Sequence, residues 1–209
     1  EKICEYDFRG DAIRINTYSD GYGRYSNKNI VAREFSPEKA AQHFAKAGFT
    51  KRDEKGVFVN DKGERLSFNI TYTRSPFSTG LMTRLKEEAI KAGVEYKLEG
   101  MDSAAAFSKT QNKKHEICFL GWGVMPPFPR YVGSFHSSNA FEEGTKTPKP
   151  MTNNVSVYAD HEMDALAQGI RDATSKDEIE RKAHRAEEII HRDAPRIPGY
   201  PFPAGRCGR

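Results

Sequence analysis

Between Phe35 and Ile117 the apolar positions change their period several times, and each change marks an element. Ala40, Ala41, Phe44 and Ala47 recur at helical spacing. Ser36 suits the cap of that helix, Pro37 its first turn and Gly48 its left-handed stop. After a turn at Asp61-Lys62-Gly63, apolar and polar residues alternate from Leu66 to Thr73, which predicts a strand with one face more buried than the other. Leu81, Leu85 and Ala89 then stand four apart, predicting a helix over 79–92 that stops at Gly93. A strand over 94–98, a helix over 103–111 and a strand over 116–120 follow. Strand, helix, strand, helix, strand predicts an α/β fold, an open and mostly parallel sheet flanked by helices. Such sheets bind ligands beyond the carboxyl ends of their strands. Here those ends are Arg74, Gly100-Met101-Asp102 and Gly121-Trp122-Gly123.

The flanking regions read differently. Residues 1–34 have no clear period and are rich in Tyr, Gly, Asn and Arg; they are expected to be extended, with tyrosines packed against a neighbour or offered as a binding strip. From Trp122 to Asn154, prolines 126, 127, 129, 148 and 150 exclude regular elements over much of the segment. A loop of that length favours a functional or interface role. Two helices close the chain. Asp160 caps the first, whose face is Met163, Leu166, Ala167 and Ile170. Ser175 and Glu178 form a capping box for the second, whose face is Ile179, Ala183, Ala186 and Ile190, and Pro195 ends it.

Composition narrows the function. The 209 residues are 37% hydrophobic and 30% charged, enough for a core and a well-solvated surface. Lys and Arg number 33 against 29 Asp and Glu, a net charge of +4, with the signs mixed along the chain and no stripe of cations. Nucleic acid is therefore not an expected partner. No stretch approaches the roughly 18 apolar residues of a membrane span, so the chain is not expected to cross a membrane itself. The N-terminus has no basic and apolar leader, and either the chain is cytosolic or its start is missing. Cys4, Cys118 and Cys207 form no CxxC pair, and Cys118 reads as a small buried hydrophobe.

Candidate chemistry is sparse. His184 with Glu188, and Glu187 with His191, have the i,i+4 spacing that can hold a divalent metal, but a solvated helix face explains them without one. Neither a GxSxG elbow, nor a P-loop, nor a GxGxxG motif occurs, and neither catalysis nor a cofactor is expected. Binding is better supported. Trp122, the one tryptophan, sits between two glycines at a strand end, where its ring can stack on a ligand or pack on the prolines that follow. Arg74 follows the strand ending at Thr73 and can meet an anionic or carbonyl group with its fork. Asn153 and Asn154 offer paired amides for peptide-like groups, or an ordinary turn.

Five phrases occur in an order that resembles the peptide/nickel-type extracellular solute-binding proteins, family 5. They are Ser36 to Phe49, which ends in Ala47-Gly48-Phe49; Asp61 to Phe68; Leu85 to Glu95; Asn154 to Leu166, which contains Tyr158 and Asp164; and Arg181 to Pro195. Pro126-Pro127-Phe128-Pro129-Arg130-Tyr131 and Asp20-Gly21-Tyr22-Gly23 look closest to the oligopeptide and microcin C subgroup.

The resemblance implies a type II periplasmic binding protein fold. It also implies part of the substrate-binding component of an ABC importer for peptides or peptide-like small solutes. The partner would be a permease in the inner membrane and the location periplasmic, the leader being absent because the chain is a fragment. Residues 1–34 would be a hinge segment toward a missing first lobe, 35–194 the second lobe and 195–209 the return hinge. Arg74, Trp122, Met125, Asn153 and Asn154 are the expected ligand-binding residues. Met125 marks a departure: oligopeptide binders of this family often carry Asp three residues after the tryptophan, as partner of a peptide's amino terminus. Capture of a free α-amine in that way is therefore not expected. Two alternatives stand beside this reading. A small α/β hydrolase would need a nucleophile and base converging near Trp122, and an interaction module would lack any transport role.

Overall fold

A computed structural model describes residues 15–121 and 127–199. The chain divides into two compact units: residues 34–110 and 114–121 form one, and residues 15–33, 111–113 and 127–199 belong to the other. The sequence reading ran residues 35–194 together. Both divisions fall where the sequence pattern changes, at the start of the periodic stretch near Phe35 and at the break from Trp122 onward, but periodicity alone does not say which elements share a core.

In the first unit, helix α1 (Pro37–Lys46) begins where Ser36 accepts the Lys39 N–H. A cap of this kind stabilises a helix by about 1 kcal/mol. Strands β1 (Phe49–Arg52) and β2 (Phe58–Asn60) pair antiparallel, a hairpin the sequence reading missed. The turn at Asp61-Lys62-Gly63 forms as expected, closed by Asn60 N–H to Glu64 O at 3.0 Å. Strand β3 (Ser67–Thr73) follows, then helix α2 (Pro76–Lys91), strand β4 (Glu95–Met101), helix α3 (Ser103–Gln111, its last residue belonging to the other unit) and strand β5 (Ile117–Phe119). β3 lies at the centre of a parallel sheet ordered β4-β3-β5, with Ser67 opposite Glu95, Thr73 opposite Met101 and Ile70 opposite Ile117. The three predicted strands therefore share one sheet.

The core of this unit gathers Phe58, Leu66 and Val94, with Ala41, Phe44 and Phe68 packed on them. Gly93 is held at φ 87°, and a Cβ there would lie 2.5 Å from the Phe58 ring, so the helix stop is also a close approach. Two expectations need correction. α2 begins three residues before 79, because Ser75 and Ser78 form a reciprocal capping box around Pro76 at the first position. Its inner face is Ser78, Leu81 and Met82, whereas Leu85 is 39% exposed. β4 also runs three residues past 98, because register with β3, not its own apolar pattern, sustains it to Met101.

The second unit is helical. Within the proline-rich stretch, a short helix α4 (Val132–Phe135) and a 3-10 turn (Ser137–Asn139) form, where irregular chain was expected. Helix α5 (His161–Asp172) is capped by Asp160, which accepts the Met163 N–H at 2.8 Å. In helix α6 (Lys176–Asp193), Ser175 accepts the Glu178 N–H, but the Glu178 carboxylate binds Lys182 at 2.5 Å. Met163, Ala167 and Ile170 of α5 meet Ile179, Ala183, Ala186, Ile189 and Ile190 of α6 in one core with Tyr131 and Phe135. Each buried isoleucine or methionine among them contributes about 1.5–3 kcal/mol, and each alanine methyl less. Tyr18 and Tyr22 pack against this core and Tyr25 is buried in it, so the early tyrosines serve packing.

Segment 15–33, expected to be extended, instead holds a 3-10 helix (Asp20–Tyr25) and packs along α6 as a strap. Arg24 pairs with Asp177 at 2.6 Å near the start of the helix, and Arg33 donates to the carbonyls of His191 (2.6 Å) and Arg192 (2.9 Å) at its end. Between them Glu187, only 1% exposed, accepts the N–H groups of Ser19 and Asn27. Burial pushes its carboxyl above the ordinary range, and the hydrogen bonds oppose that shift. The sequence reading placed Glu187 on a solvated face. Its partner is a backbone some 160 positions away, which helical spacing cannot reveal.

Candidate functional site

The carboxyl edge of the parallel sheet is built by two strand-to-helix turns. β3 ends in Thr73-Arg74-Ser75 and enters α2; β4 ends in Met101-Asp102 and enters α3. The Arg74 N–H extends the ladder by one bond, donating to Met101 O at 2.7 Å. Its exposed guanidinium curls back to Gly100 O. Ser75 and Ser78 exchange hydrogen bonds across the first turn of α2, and Ser78 Oγ also donates to Thr73 O at 2.6 Å. Asp102 accepts the Ala105 N–H at 2.9 Å and so fixes the start of α3.

Two helix N-termini, Arg74 and the capping Asp102 carboxylate thus share one sheet edge, where the guanidinium can meet a carbonyl or carboxylate group. Gly100 is needed for the shape of this edge. A Cβ there would lie 2.7 Å from the hydroxyl of Tyr72, which is 4% exposed. Below the edge, Glu99 is held low in pKa by hydrogen bonds from Lys109 and Thr71, at 2.5 and 2.9 Å.

Asn153 and Asn154 belong to the other unit. Asn153 is exposed, and its carbonyl accepts Arg196 Nη2 at 2.5 Å. Asn154 is fully buried. Its Nδ2 donates to His136 O (3.2 Å) and Tyr158 O (2.8 Å), and its Oδ1 accepts the Tyr158 N–H at 3.0 Å. Tyr158 in turn donates its hydroxyl to Asp193 at 2.6 Å. Arg192 and Tyr158 hold the Asp193 carboxyl down at about 2. Trp122 and Met125 lie outside the described residues. His184 and Glu187 are both engaged by the strap, His184 through the Arg24 carbonyl at 3.0 Å. Among the described residues no group of three His, Cys, Asp or Glu side chains could hold a metal ion.

The sequence reading did not anticipate Arg196. Its guanidinium lies 5.1 Å from the centre of the Phe135 ring and 5.6 Å from that of Tyr18, and Nη1 donates to the Tyr18 hydroxyl at 3.3 Å. No local signal points to it, since its partners come from three separate stretches of chain.

Comparison with known proteins follows the same lines. Among solved structures, the chain is similar to the oligopeptide-binding protein AppA of Bacillus subtilis in complex with a nonapeptide, with TM-score 0.79 at 22% identity. It is likewise similar to NikZ of Campylobacter jejuni in complex with Ni(L-His), with TM-score 0.79 at 22% identity. A third such structure is an oligopeptide binding protein of Thermus thermophilus complexed with a pentapeptide, with TM-score 0.80 at 18% identity. These likenesses cover 96%, 95% and 95% of this chain, but only 38%, 38% and 35% of the respective structures. No curated protein shows a significant sequence match. Residues 1–142 match the profile described as bacterial extracellular solute-binding proteins, family 5 Middle, and the chain belongs to that family.

Proposed function

We propose that this chain is part of the substrate-binding component of an ABC importer for peptides or peptide-like small solutes. It binds its solute and performs no chemistry. The sheet edge at Arg74 carries this reading, because an arginine and two helix N-termini share it. That combination suits the carbonyl and carboxylate groups of a peptide. Family membership supports it, and so do the peptide complexes among the similar structures.

In this reading Arg74 is the solute-binding residue of the first unit; Trp122, Met125 and Asn153 are those of the second, where Asn154 fixes the segment that carries Asn153. Met125 leaves the solute's amino end without a carboxylate partner there, which favours solutes held along their backbone. The cleft is completed by protein beyond the third or so of each relative that this chain spans, and hinge closure of two lobes presents the bound form to an inner-membrane permease from the periplasm. The test is thermal stabilisation of the full-length protein by pools of tri- to octapeptides. A bound solute raises folding stability by mass action, by about 2.7 kcal/mol at a hundredfold excess over Kd. Stabilisation by peptides and not by free amino acids or sugars is expected; indifference to every peptide pool contradicts the proposal.

A further inference from the structure

Among the described residues, the non-glycine positions with left-handed backbone are Lys113 (φ 56°), Met151 (56°), Val157 (50°) and Ala194 (50°). Ala194 is the left-handed stop of α6, and hydrogen bonds join the stretches around Lys113 and Ala194 to residues 151–157. Met151 N–H donates to Gln111 O at 2.9 Å, and Lys113 Nζ donates to Thr152 O at 2.7 Å. Ser156 Oγ donates to Pro195 O, next to Ala194, at 2.8 Å. Val157 is the most strained of the four, because a β-branched side chain crowds the left-handed backbone. Strain of this sort persists only where the surroundings over-determine it, and it gathers at ligand-binding segments.

The surroundings here do over-determine it. Asn154 ties the His136 carbonyl, the Tyr158 carbonyl and the Tyr158 N–H to one buried amide. The Val157 N–H closes back on Asn154 O at 3.1 Å. Arg196, lying over Phe135 and Tyr18, grips the Asn153 carbonyl. What this framework leaves outward is Asn153, exposed, and Met151, 68% exposed. A segment that only joined α4 to α5 could place glycine or asparagine at 151 and 157 and avoid the strain.

We propose that residues 151–157 form a pre-organised recognition loop in which Asn154 is the positioning residue. The exposed Asn153 amide is the group that meets the backbone of a peptide-like solute. This rests on the peptide-binding reading above. Pre-organisation raises affinity by removing the ordering cost at the moment of binding.

The experiment uses the full-length protein, freed of bound solute by unfolding and refolding, and a pool of random pentapeptides as probe. Affinity, melting temperature and amide hydrogen exchange across 151–157 are measured for wild type, Val157→Gly and Asn154→Asp. Val157→Gly relieves the strain, so its melting temperature should equal or exceed that of wild type. Its loop amides should exchange faster without peptide, and its affinity should fall about tenfold, the loss that accompanies ordering one or two side chains on binding. Asn154→Asp keeps the acceptor for Tyr158 N–H and loses both donors, and should weaken binding in the same direction. A merely structural loop predicts that affinity follows stability in both variants. Unchanged exchange and affinity in Val157→Gly overturns the loop's role and leaves the peptide reading standing. A wild type that binds none of the pool overturns both.

Discussion

The Glu187 carboxylate receives the backbone N–H of Ser19 at 3.0 Å, joining the strap to the last helix deep in the second unit. Its other oxygen receives the N–H of Asn27. Removing the acceptor leaves two buried donors without partners, each costing about 1–3 kcal/mol. Glu187→Ala should therefore destabilise the protein by about 2–6 kcal/mol in denaturant melts. Glu187→Gln keeps one acceptor oxygen and should lose about half as much.

The same residue predicts a pH dependence. Burial raises the folded-state value of Glu187 above its ordinary 4.5. The folded protein then holds this proton more tightly than the unfolded chain does. The contribution favours folding below the unfolded value and is lost as pH rises through the folded one. Melting temperatures from pH 4 upward should fall in wild type relative to Glu187→Gln over that window. Parallel curves would contradict it.

Asp193 works in the opposite direction. Arg192 and the Tyr158 hydroxyl depress its carboxyl to about 2, from 3.8. Its stabilisation is present above the unfolded value and is lost as pH falls through the folded one. Asp193→Asn should lower the melting temperature at neutral pH and converge with wild type near pH 2, provided both remain folded there.

Much of the first unit was legible in the sequence because its elements are locally encoded. Alternation over 66–73 set β3 within one residue, and Ser36-Pro37 with Gly48 bounded α1. The errors share a cause. β4 outlasts its apolar pattern because β3 beside it supplies the hydrogen bonds, and α2 starts early because a Ser–Ser box lacks the Ser/Glu signature. At the candidate site, the position of Arg74 just past the end of β3 was legible in the sequence. The burial of Asn154 and the grip of Arg196 were not, since both depend on chain segments distant in sequence, and the strain at Val157 was not, since a β-branched residue gives no signal for left-handed backbone.

Gly100 offers a structural test of the sheet edge. A methyl group there meets the buried Tyr72 hydroxyl at 2.7 Å, and the ring has little room to give. Gly100→Ala should cost about 1–3 kcal/mol by overpacking. It should also displace the carbonyl that Arg74 binds, weakening solute binding by more than the stability loss explains. Equal peptide affinity in Gly100→Ala and wild type would separate this edge from recognition.

The central claim is that the full-length protein binds a peptide-like solute and that Trp122 and Arg74 contact it. Calorimetric titration of wild type, Trp122→Ala and Arg74→Ala with peptides, run beside thermal melts of the unliganded proteins, tests it most directly. The account predicts that each substitution weakens binding, Trp122→Ala by about 1–3 kcal/mol for a stacked ring, with melting temperatures nearly unchanged. A large loss of stability with an unchanged dissociation constant would make Trp122 a core residue and contradict the account.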